Sequence, residues 1–264
     1  MMVTYNYTGK TVLITGGSSG IGLAAAKAFH AAGAQVIIMA RAPEKAAAAF
    51  PGTEGVTFLA ADLNAPASIS SAFEQVTENF RTIDVAINSA AADTGVGKPV
   101  QEFTEEEYDY TFGVNLKGLW LCMKHQIRLM LPNISSRCSI LNVSSVNGLG
   151  GVEYGALYAA SKAGVLALTK SAALELATSH IRVNAVVPGA FDTPLLRKAM
   201  LGQCGGDESR LQEVREKYEQ FIPENRIGDP AEVASLMLWL ASGEADYVVG
   251  QSFVIDGGMS TRFR

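Results

Sequence analysis

Seven short apolar runs, rich in β-branched residues, alternate along the chain with longer stretches of helical composition. They are residues 12–14, 36–38, 56–58, 83–87, 139–141, 182–186 and 253–255. Strands that alternate with helices pair in parallel through right-handed crossovers. Strands that are buried on both faces read as continuous apolar runs. The pattern therefore predicts an α/β protein whose doubly wound parallel sheet has about seven strands, with helices on both faces.

Length and composition favour a single domain over residues 1–264. A chain of 264 residues with 48% hydrophobic content can bury one sizeable core. One stretch, at about residues 190–226, breaks the alternation with Pro194, a glycine cluster and a charged helical pattern at residues 210–219. A long excursion beside a site often acts as a lid, and an ordinary helical connection is the alternative.

Composition disfavours several classes of function. The formal net charge of −5 argues against a general nucleic-acid surface, which needs clustered basic residues. Residues 1–10 lack the apolar segment of a secretory signal, and no stretch approaches the ~18 uninterrupted apolar residues of a membrane span. The three cysteines and three histidines show neither disulfide nor metal-ligand spacing. We therefore expect a cytoplasmic protein with no metal, no nucleic acid and no membrane partner.

A glycine-rich turn follows the first apolar run and leads into the alanine-rich residues 23–32. Glycines remove side chains where the backbone must approach a pyrophosphate, and the N–H groups of a new helix bind its negative charge. The spacing differs from the usual G-x-G-x-x-G fingerprint, and a flexible loop is the alternative. The predicted cofactor-binding residues of this turn are Thr15, Gly16, Ser18, Ser19, Gly20, Ile21 and Gly22.

A tyrosine and a lysine, Tyr158 and Lys162, are spaced to lie on one face of a helix predicted over residues 154–176. A phenol, with a reference pKa of about 10, is a poor acid or base at neutral pH unless a cation stabilises its ionised form. We expect Lys162 to be that cation and to lower the pKa of Tyr158. The same spacing occurs by chance in many soluble chains, and a second feature must support it.

That second feature is Ser145, which ends the segment Asn142-Val143-Ser144-Ser145 after the apolar run 139–141. A serine at the carboxyl end of a strand faces the ligand crevice of a parallel α/β sheet. Ser145 is therefore placed at the same edge as the glycine-rich turn.

Together, the turn Thr15-Gly16-x-x-x-Gly20-x-Gly22, Ser145 and the Tyr158-x-x-x-Lys162 pair resemble the short-chain dehydrogenase/reductase family, in its single-domain branch. The resemblance covers nearly the whole chain and implies a Rossmann fold with NAD(P)-dependent oxidoreductase activity. It also implies a substrate-covering loop at about residues 190–226 and a homo-oligomer, often a tetramer. The implied catalytic tetrad is Asn115, Ser145, Tyr158 and Lys162, with Asn115 in the segment Val114-Asn115-Leu116-Lys117-Gly118.

The resemblance implies further cofactor contacts. Pro188-Gly189 and Thr193 match the element that closes over the nicotinamide, while Asp62-Leu63 matches the pair that contacts the adenine. Asn88 matches the first residue of the family's Asn-Asn-Ala-Gly segment, which here reads Asn88-Ser89-Ala90-Ala91. Tyr158 and Lys162 are expected at the nicotinamide ribose. Near the end, Asp256-Gly257-Gly258 resembles the family's final segment.

Cofactor preference depends on the end of the second strand. In NAD sites an acidic residue about 20 positions after the glycines binds the ribose 2′-hydroxyl. Here Ala40 stands at that place and Arg41 follows it. A guanidinium suits a 2′-phosphate through bidentate contacts, and we therefore favour NADP(H) over NAD(H).

The predicted reaction is reduction of a ketone to a secondary alcohol, or the reverse oxidation, with Tyr158 as acid and base and Ser145 holding the carbonyl oxygen. The resemblance also implies that Asn115 holds a water molecule that links Lys162 to solvent protons. A small hydrophobic ketone or alcohol fits the mainly apolar candidate pocket residues, which are Val146, Leu149, Tyr154, Phe191, Leu195, Leu196 and Met200.

Two other functions remain open. A 3-oxoacyl-carrier-protein reductase usually needs basic residues at the mouth of the site. Residues 133–136 and 178–180 are nearly uncharged, although Arg137 and Arg182 lie close, so this substrate ranks second. A non-catalytic NADP(H)-binding sensor or scaffold is also possible, because fold does not fix function. The intact set of Ser145, Tyr158 and Lys162 argues against that last possibility.

Overall fold

A parallel seven-stranded sheet forms the centre of the computed structural model, which describes residues 4–50, 54–133 and 137–261. The strand order is β3-β2-β1-β4-β5-β6-β7, and each neighbouring pair is parallel. The doubly wound sheet predicted from the alternating pattern is confirmed. The strands are β1 (Thr11–Thr15), β2 (Gln35–Ala40), β3 (Val56–Ala60), β4 (Val85–Asn88), β5 (Cys138–Val143), β6 (Ile181–Pro188) and β7 (Ser252–Ile255).

Helices cover the sheet and begin at recognisable signals. Thr104 and Glu107 form a capping box before α4, and Asp229 with Glu232 does the same before α9. None of the helices in the described ranges has both the length and the apolar character of a membrane span. The helices are α1 (Gly20–Ala31), α2 (Pro43–Ala47), α3 (Pro66–Asn79), α4 (Glu105–Phe112), α5 (Leu119–Met130), α6 (Ala156–Leu176), α7 (Pro194–Gln203), α8 (Leu211–Phe221) and α9 (Pro230–Ala241).

The five central strands of the sheet are buried on both faces, which explains their continuously apolar sequences, while the edge strands β3 and β7 are only partly buried. Alternate residues of a strand point to opposite faces. In β1, Val12 and Ile14 join the core cluster that includes Phe29 of α1 and Met237 of α9. Leu13 joins the cluster on the other face, with side chains from α3, α5 and α6.

The strand order reverses beside β1, and this reversal positions the site. The chain runs from β1 outward to β2 and β3, then returns to place β4 on the other side of β1. Ligands of open α/β sheets bind at such a switch point, outside the carboxyl ends of the strands. Thr15 and Asn88 are paired at this edge.

The excursion after β6 contains α7 and α8 rather than strands, apart from one parallel bridge between Phe191 and Gly228. It has a small core of its own around Met200, Val214 and Ile222. Phe191 and Met200, expected in the substrate pocket, are instead only 5% and 3% exposed. Both belong to hydrophobic clusters, since each packs inward where the excursion meets the body.

The helix predicted from residue 154 begins at Ala156. Tyr154 has a φ of 58°, in the left-handed region, and cannot continue a right-handed helix. Ala91 stands where the family's segment has glycine, but its backbone does not need one, because its φ is not positive. The described non-glycine residues with positive φ are Tyr154, His180 and Asn225.

We expect Phe29→Ala to lower the free energy of unfolding by about 3–5 kcal/mol, because it opens a cavity between α1 and the sheet. Phe29 is fully buried and packs edge-on against Tyr7 with ring centroids 4.8 Å apart. Urea unfolding followed by circular dichroism measures the change. Lys27→Ala, at an exposed position of the same helix, is the control and should stay within about 0.5 kcal/mol of the parent. An equal loss in both variants would contradict the assignment of Phe29 to the core.

Candidate active site

Ser145 and Tyr158 come together where β5 ends and α6 begins. The Ser145 hydroxyl is near enough to the Tyr158 side chain to act to lower the pKa of the phenol. Ser145 also caps the short 3₁₀ turn Val146–Gly148, where its Oγ accepts from the backbone N–H of Asn147 at 3.2 Å. Lys162 lies one helical turn after Tyr158, and its Nζ is 5.8 Å from the centroid of the tyrosine ring.

Lys162 is buried, with only 1% of its surface exposed. Its Nζ donates to the carbonyl oxygen of Val143 at 2.9 Å, and the Ser144 hydroxyl donates to the backbone oxygen of Lys162 at 2.8 Å. A Cβ at Gly148 would lie 2.7 Å from the Lys162 carbonyl carbon, so only glycine allows this approach. These contacts hold the start of α6 against the end of β5.

Burial shifts the pKa values of Tyr158 and Lys162 in the directions that favour the uncharged form of each group. It raises the pKa of Tyr158 to about 12, partly opposed by the hydrogen bond from Ser145 and increased further by the Asp93 carboxylate. Burial lowers the pKa of Lys162 to about 8. The expected lowering of the Tyr158 pKa by Lys162 is therefore not found. The spacing in the sequence correctly predicted that Lys162 is a neighbour of Tyr158. It could not show how far the phenol is buried, and burial has the largest effect on its pKa.

Asn115 lies in the π-helical turn Gly113–Gly118 between α4 and α5, and is fully buried. Its Oδ1 accepts from the N–H of Ala92 at 2.7 Å, while its Nδ2 donates to the Ala92 oxygen and to Ser161 Oγ, each at 3.1 Å. Ser161 in turn donates to the backbone oxygen of Tyr158 at 2.8 Å. Asn115 thus positions the start of α6, and the water that the family resemblance gives it stays a prediction.

The sequence reasoning missed Ser144 and Ser161, which fix the backbone of Lys162 and Tyr158. Ser161 stands inside the Tyr-x-x-x-Lys segment, and Ser144 directly precedes Ser145. The only sign of their role in the sequence is that they lie within these two motifs. A hydroxyl that bonds to the backbone has no residue spacing of its own that would reveal it.

The glycine-rich turn is shaped by close backbone approaches. Gly16 has a φ of 71°, and a Cβ there would lie 2.7 Å from Ala90. A Cβ at Gly22 would overlap the carbonyl oxygen of Gly16. Ser19, the N-cap of α1, makes no capping bond with its side chain. The first N–H groups of α1 therefore point to a bare cradle at the switch point, which fits a pyrophosphate.

The remaining residues of the turn divide between backbone and core. Thr15 is 1% exposed, and its Oγ1 accepts from Ala90 N at 3.5 Å. Ile21 packs against the cluster beneath α1. Gly20 has a φ of 52° and lies beside Thr193, whose methyl would be 3.1 Å from a Cβ at Gly20. Ser18 is partly exposed in the turn.

Asn88 does not present its side chain to the crevice. Its Nδ2 donates to Gln126 Oε1 at 3.0 Å and to Asn142 Oδ1 at 2.9 Å, and Gln126 Nε2 donates back to Asn88 Oδ1 at 2.8 Å. Asn142 continues the chain to Thr169 at 2.9 Å. All four side chains are buried, so a contact of Asn88 with a cofactor would involve its backbone, and the predicted contact stays a prediction.

The segment after β6 reaches the same edge. The N–H of Gly189 bonds to the Ile255 oxygen at 2.9 Å, which continues the pairing of Pro188 with Ile255. Thr193 caps α7 by accepting from the N–H of Leu196 at 3.2 Å. Thr193 and Gly20 are in contact range, so the start of α7 lies against the glycine-rich turn.

Arg41, Asp62 and Leu63 lie beyond the paired ends of β2 and β3. Arg41 Nη1 donates to the Tyr110 hydroxyl at 2.8 Å, and Arg41 is exposed. Asp62 Oδ1 accepts from the N–H of Asn64 at 2.9 Å. Leu63 is 6% exposed and belongs to the core, so a contact with adenine would involve its backbone.

Within the described ranges, no cluster of three or more His, Cys, Asp or Glu side chains is arranged to hold a metal ion. Cys122, Cys138 and Cys204 are free thiols, and all three are buried. Burial raises the pKa of Cys122 to about 12 and that of Cys138 to about 11, so these thiols stay protonated at neutral pH.

A family model and several known proteins are similar to this chain over nearly its whole length. A family model described as enoyl-(acyl carrier protein) reductase matches residues 16–260. The chain is 38% identical to the 3-oxoacyl-[acyl-carrier-protein] reductase of Thermotoga maritima, over 95% of this chain and 98% of the relative. It is 34% identical to the NADP-dependent (R)-specific alcohol dehydrogenase of Lentilactobacillus kefiri, over 98% of this chain and 100% of the relative.

A solved structure gives the same answer for the fold. The 3-ketoacyl-(acyl-carrier-protein) reductase of Brucella melitensis, complexed with NADH, superimposes with a TM-score of 0.83 at 32% identity, covering 97% of this chain and 100% of that chain. The family match, these relatives and the Rossmann-type sheet agree over nearly the whole chain. The chain therefore belongs to the short-chain dehydrogenase/reductase family, whose enzymes interconvert alcohols and carbonyl compounds.

Proposed function

We propose that the protein is an NADPH-dependent carbonyl reductase that converts a ketone to a secondary alcohol and also catalyses the reverse oxidation. The observation that carries the proposal is that Ser145, Tyr158 and the buried Lys162 come together: Ser145 acts on the Tyr158 side chain, and Lys162 Nζ lies 5.8 Å from the centroid of its ring. This group lies at the carboxyl edge of the sheet, on the same side as the glycine-rich turn.

The protonation states favour proton donation. With a pKa of about 12, Tyr158 keeps its proton at neutral pH and can donate it to a forming alkoxide. The hydroxyls of Ser145 and Tyr158 are close enough to share one carbonyl oxygen, which they would polarise. Lys162, with a pKa of about 8, is mostly charged at neutral pH, and its Nζ lies 5.8 Å from the centroid of the Tyr158 ring. When bound, the nicotinamide cofactor supplies or accepts the hydride.

The residues present fit a dinucleotide. Gly16, Gly20 and Gly22 leave the backbone bare at the start of α1, and the helix N-terminus favours a pyrophosphate. We favour NADP(H) because Ala40 stands where NAD sites carry an acidic residue, and Arg41 follows it at the end of β2. A guanidinium has five N–H donors, so its bond to Tyr110 leaves donors for a 2′-phosphate. The relatives named above include both an NADP-dependent enzyme and an NADH complex.

The substrate is proposed to be a small ketone with a hydrophobic body. Leu149, Tyr154 and Leu195 are 47%, 53% and 37% exposed, so they can offer apolar surface to a ligand. Val146 follows Ser145 directly and is partly buried.

Reduction of a 3-oxoacyl carrier-protein thioester is the second candidate, favoured by the 38% identity to the Thermotoga maritima enzyme. The positions of two arginines weigh against it. Arg182 is second in β6, where it is 4% exposed and bonds to the oxygens of Leu240 and Ser242. Arg137 directly precedes β5 and bonds to the Asp246 oxygen. Both stand at the amino ends of the strands, opposite the tetrad.

We also propose a homo-oligomer, a tetramer by family resemblance. The outer side of α4 to α6 has a groove of about 720 Å³ lined by Phe112, Leu116, Trp120 and Leu168 among others. Trp120 is 46% exposed and Leu174 is 83% exposed. Apolar surface of this kind suits self-association.

Light scattering after gel filtration tests the oligomer. We expect the parent to have about four times the mass of one chain. Trp120→Glu should reduce that mass, because burying a carboxylate in an apolar contact is costly. The exposed Val100, on the segment before α4, provides the control Val100→Glu, which should leave the mass unchanged. A monomeric parent would contradict the proposal.

Tyr158→Phe should keep cofactor binding and lose turnover by about 100- to 10 000-fold, because proton transfer is lost while the fold remains. We would measure NADPH and NADH consumption with aliphatic, cyclic and aromatic ketones and a 3-oxoacyl thioester, and cofactor binding by calorimetry. Tyr247→Phe, at a fully exposed tyrosine outside the site, is the matched control and should turn over normally. A near-normal rate in Tyr158→Phe would exclude the mechanism, and thioesters turned over faster than every ketone would favour the second candidate.

Arg41→Ala should raise the KM for NADPH by about 10- to 100-fold, as expected for loss of a charged hydrogen bond to phosphate. The KM for NADH should change little, because NADH lacks the 2′-phosphate. Arg81→Ala, at another exposed arginine, controls for the loss of one positive charge. Equal effects of Arg41→Ala on both cofactors would remove the basis for the NADP(H) preference.

A further inference from the structure

A short segment after β4 is held against the tetrad on both sides of Asp93. Ala92, before it, makes two hydrogen bonds with the Asn115 side chain. Gly95, after it, accepts from the backbone N–H of Tyr158 at 3.2 Å, and a Cβ at Gly95 would lie 2.6 Å from that nitrogen. Asp93 is therefore presented from a fixed backbone next to Tyr158.

The Asp93 side chain is largely shielded and points toward the excursion. Only 16% of it is exposed, and its Oδ1 accepts from Lys198 Nζ at 2.8 Å. Lys198 stands in the middle of α7, 105 positions later in the chain. The ion pair thus joins the tetrad side of the site to the excursion.

Helix α7 has a second contact with the site at its start, where Thr193 lies against Gly20 of the glycine-rich turn. Between these contacts the helix carries Leu195 and Leu196. The core of the excursion, around Met200 and Val214, packs mainly α7 against α8. The Asp93–Lys198 pair is therefore a polar tie between α7 and the segment that packs on Tyr158.

We propose that Asp93 is a positioning residue: through its ion pair with Lys198 it holds α7 closed over the tetrad, where a substrate would lie against Tyr158. This inference rests on the proposed function and deepens it by assigning the residue that holds the expected covering segment against the site. It also makes the electrostatics testable. In the described part of the chain, the charged groups with a recorded contact or electrostatic effect here are Lys162, on the same helix as Tyr158, and Asp93 with its partner Lys198.

The substitutions of Asp93 and Lys198 should loosen α7 equally but shift the pKa of Tyr158 in opposite directions. Asp93→Asn and Lys198→Met each remove the ion pair. Asp93→Asn also removes a negative charge that raises the pKa of Tyr158, so that pKa should fall. Lys198→Met leaves the Asp93 carboxylate uncompensated, so the pKa of Tyr158 should rise. Oxidation needs the ionised phenol, which is a minor form at every pH below the pKa and increases when the pKa falls.

The experiment compares the parent, both single variants and the double variant. Arg197→Met is the matched control, because Arg197 is the neighbouring α7 residue and forms an exposed pair with Glu208 at 3.3 Å. Amide hydrogen exchange over residues 194–203 reports closure without any turnover. Steady-state kinetics with the best ketone and its alcohol report KM at neutral pH and the kcat of oxidation at about pH 9. Circular dichroism confirms folding.

We expect exchange in α7 to increase in Asp93→Asn and Lys198→Met, and the substrate KM to rise by about threefold to tenfold, while Arg197→Met stays unchanged. In the double variant the KM should be no higher than in either single variant, because one interaction has been removed twice. The kcat of oxidation should increase in Asp93→Asn and decrease in Lys198→Met. A purely structural role would not produce these opposite changes.

Unchanged exchange and KM in both single variants would overturn the inference, as would additive effects in the double variant. Changes of kcat in the same direction would overturn the electrostatic part. Failure of the proposed function looks different: the parent would turn over no ketone, and hydrogen exchange would still decide whether Asp93 and Lys198 hold α7.

Discussion

The hydrogen bond from the Lys162 ammonium to the Val143 carbonyl is the contact on which the site depends. A buried cation must find a partner, and here that partner is the last backbone oxygen of β5. The bond fixes how closely α6 approaches the strand, with Gly148 giving the space. Ser145, just beyond the strand, is then within hydrogen-bonding reach of Tyr158. The chemistry of the site follows from the packing of one helix against one strand end.

Burial then sets the electrostatics of that pair. It raises the pKa of Tyr158, so the phenol keeps its proton at neutral pH. It lowers the pKa of Lys162, so the ammonium loses its proton at a lower pH than an ordinary lysine does. Both groups lie at the edge where the strand order reverses, next to the bare start of α1. Cofactor binding and proton transfer are thus supported by the same edge of the sheet. Helix α7 of the excursion contacts this edge through Thr193 and Lys198.

Patterns with a local cause were readable in the sequence, and properties with a long-range cause were not. The seven strands follow from short apolar runs, and the pairing of Tyr158 with Lys162 follows from helical spacing. The sign of the Tyr158 pKa shift depends on burial by distant segments, which no spacing reveals. Phe191 and Met200 were expected in the pocket because apolar residues of a loop and of a core look alike. The ion pair of Asp93 joins residues too far apart for any local motif.

The buried amide chain of Gln126, Asn88, Asn142 and Thr169 has a consequence for how this sequence can vary. Each member satisfies its neighbour, and a buried donor or acceptor left alone costs more than the bond itself contributes. A single apolar replacement is therefore penalised, while simultaneous replacement of all members would be tolerated far better. We therefore expect homologous chains to divide into those that keep all four polar side chains and those with a wholly apolar layer at these positions.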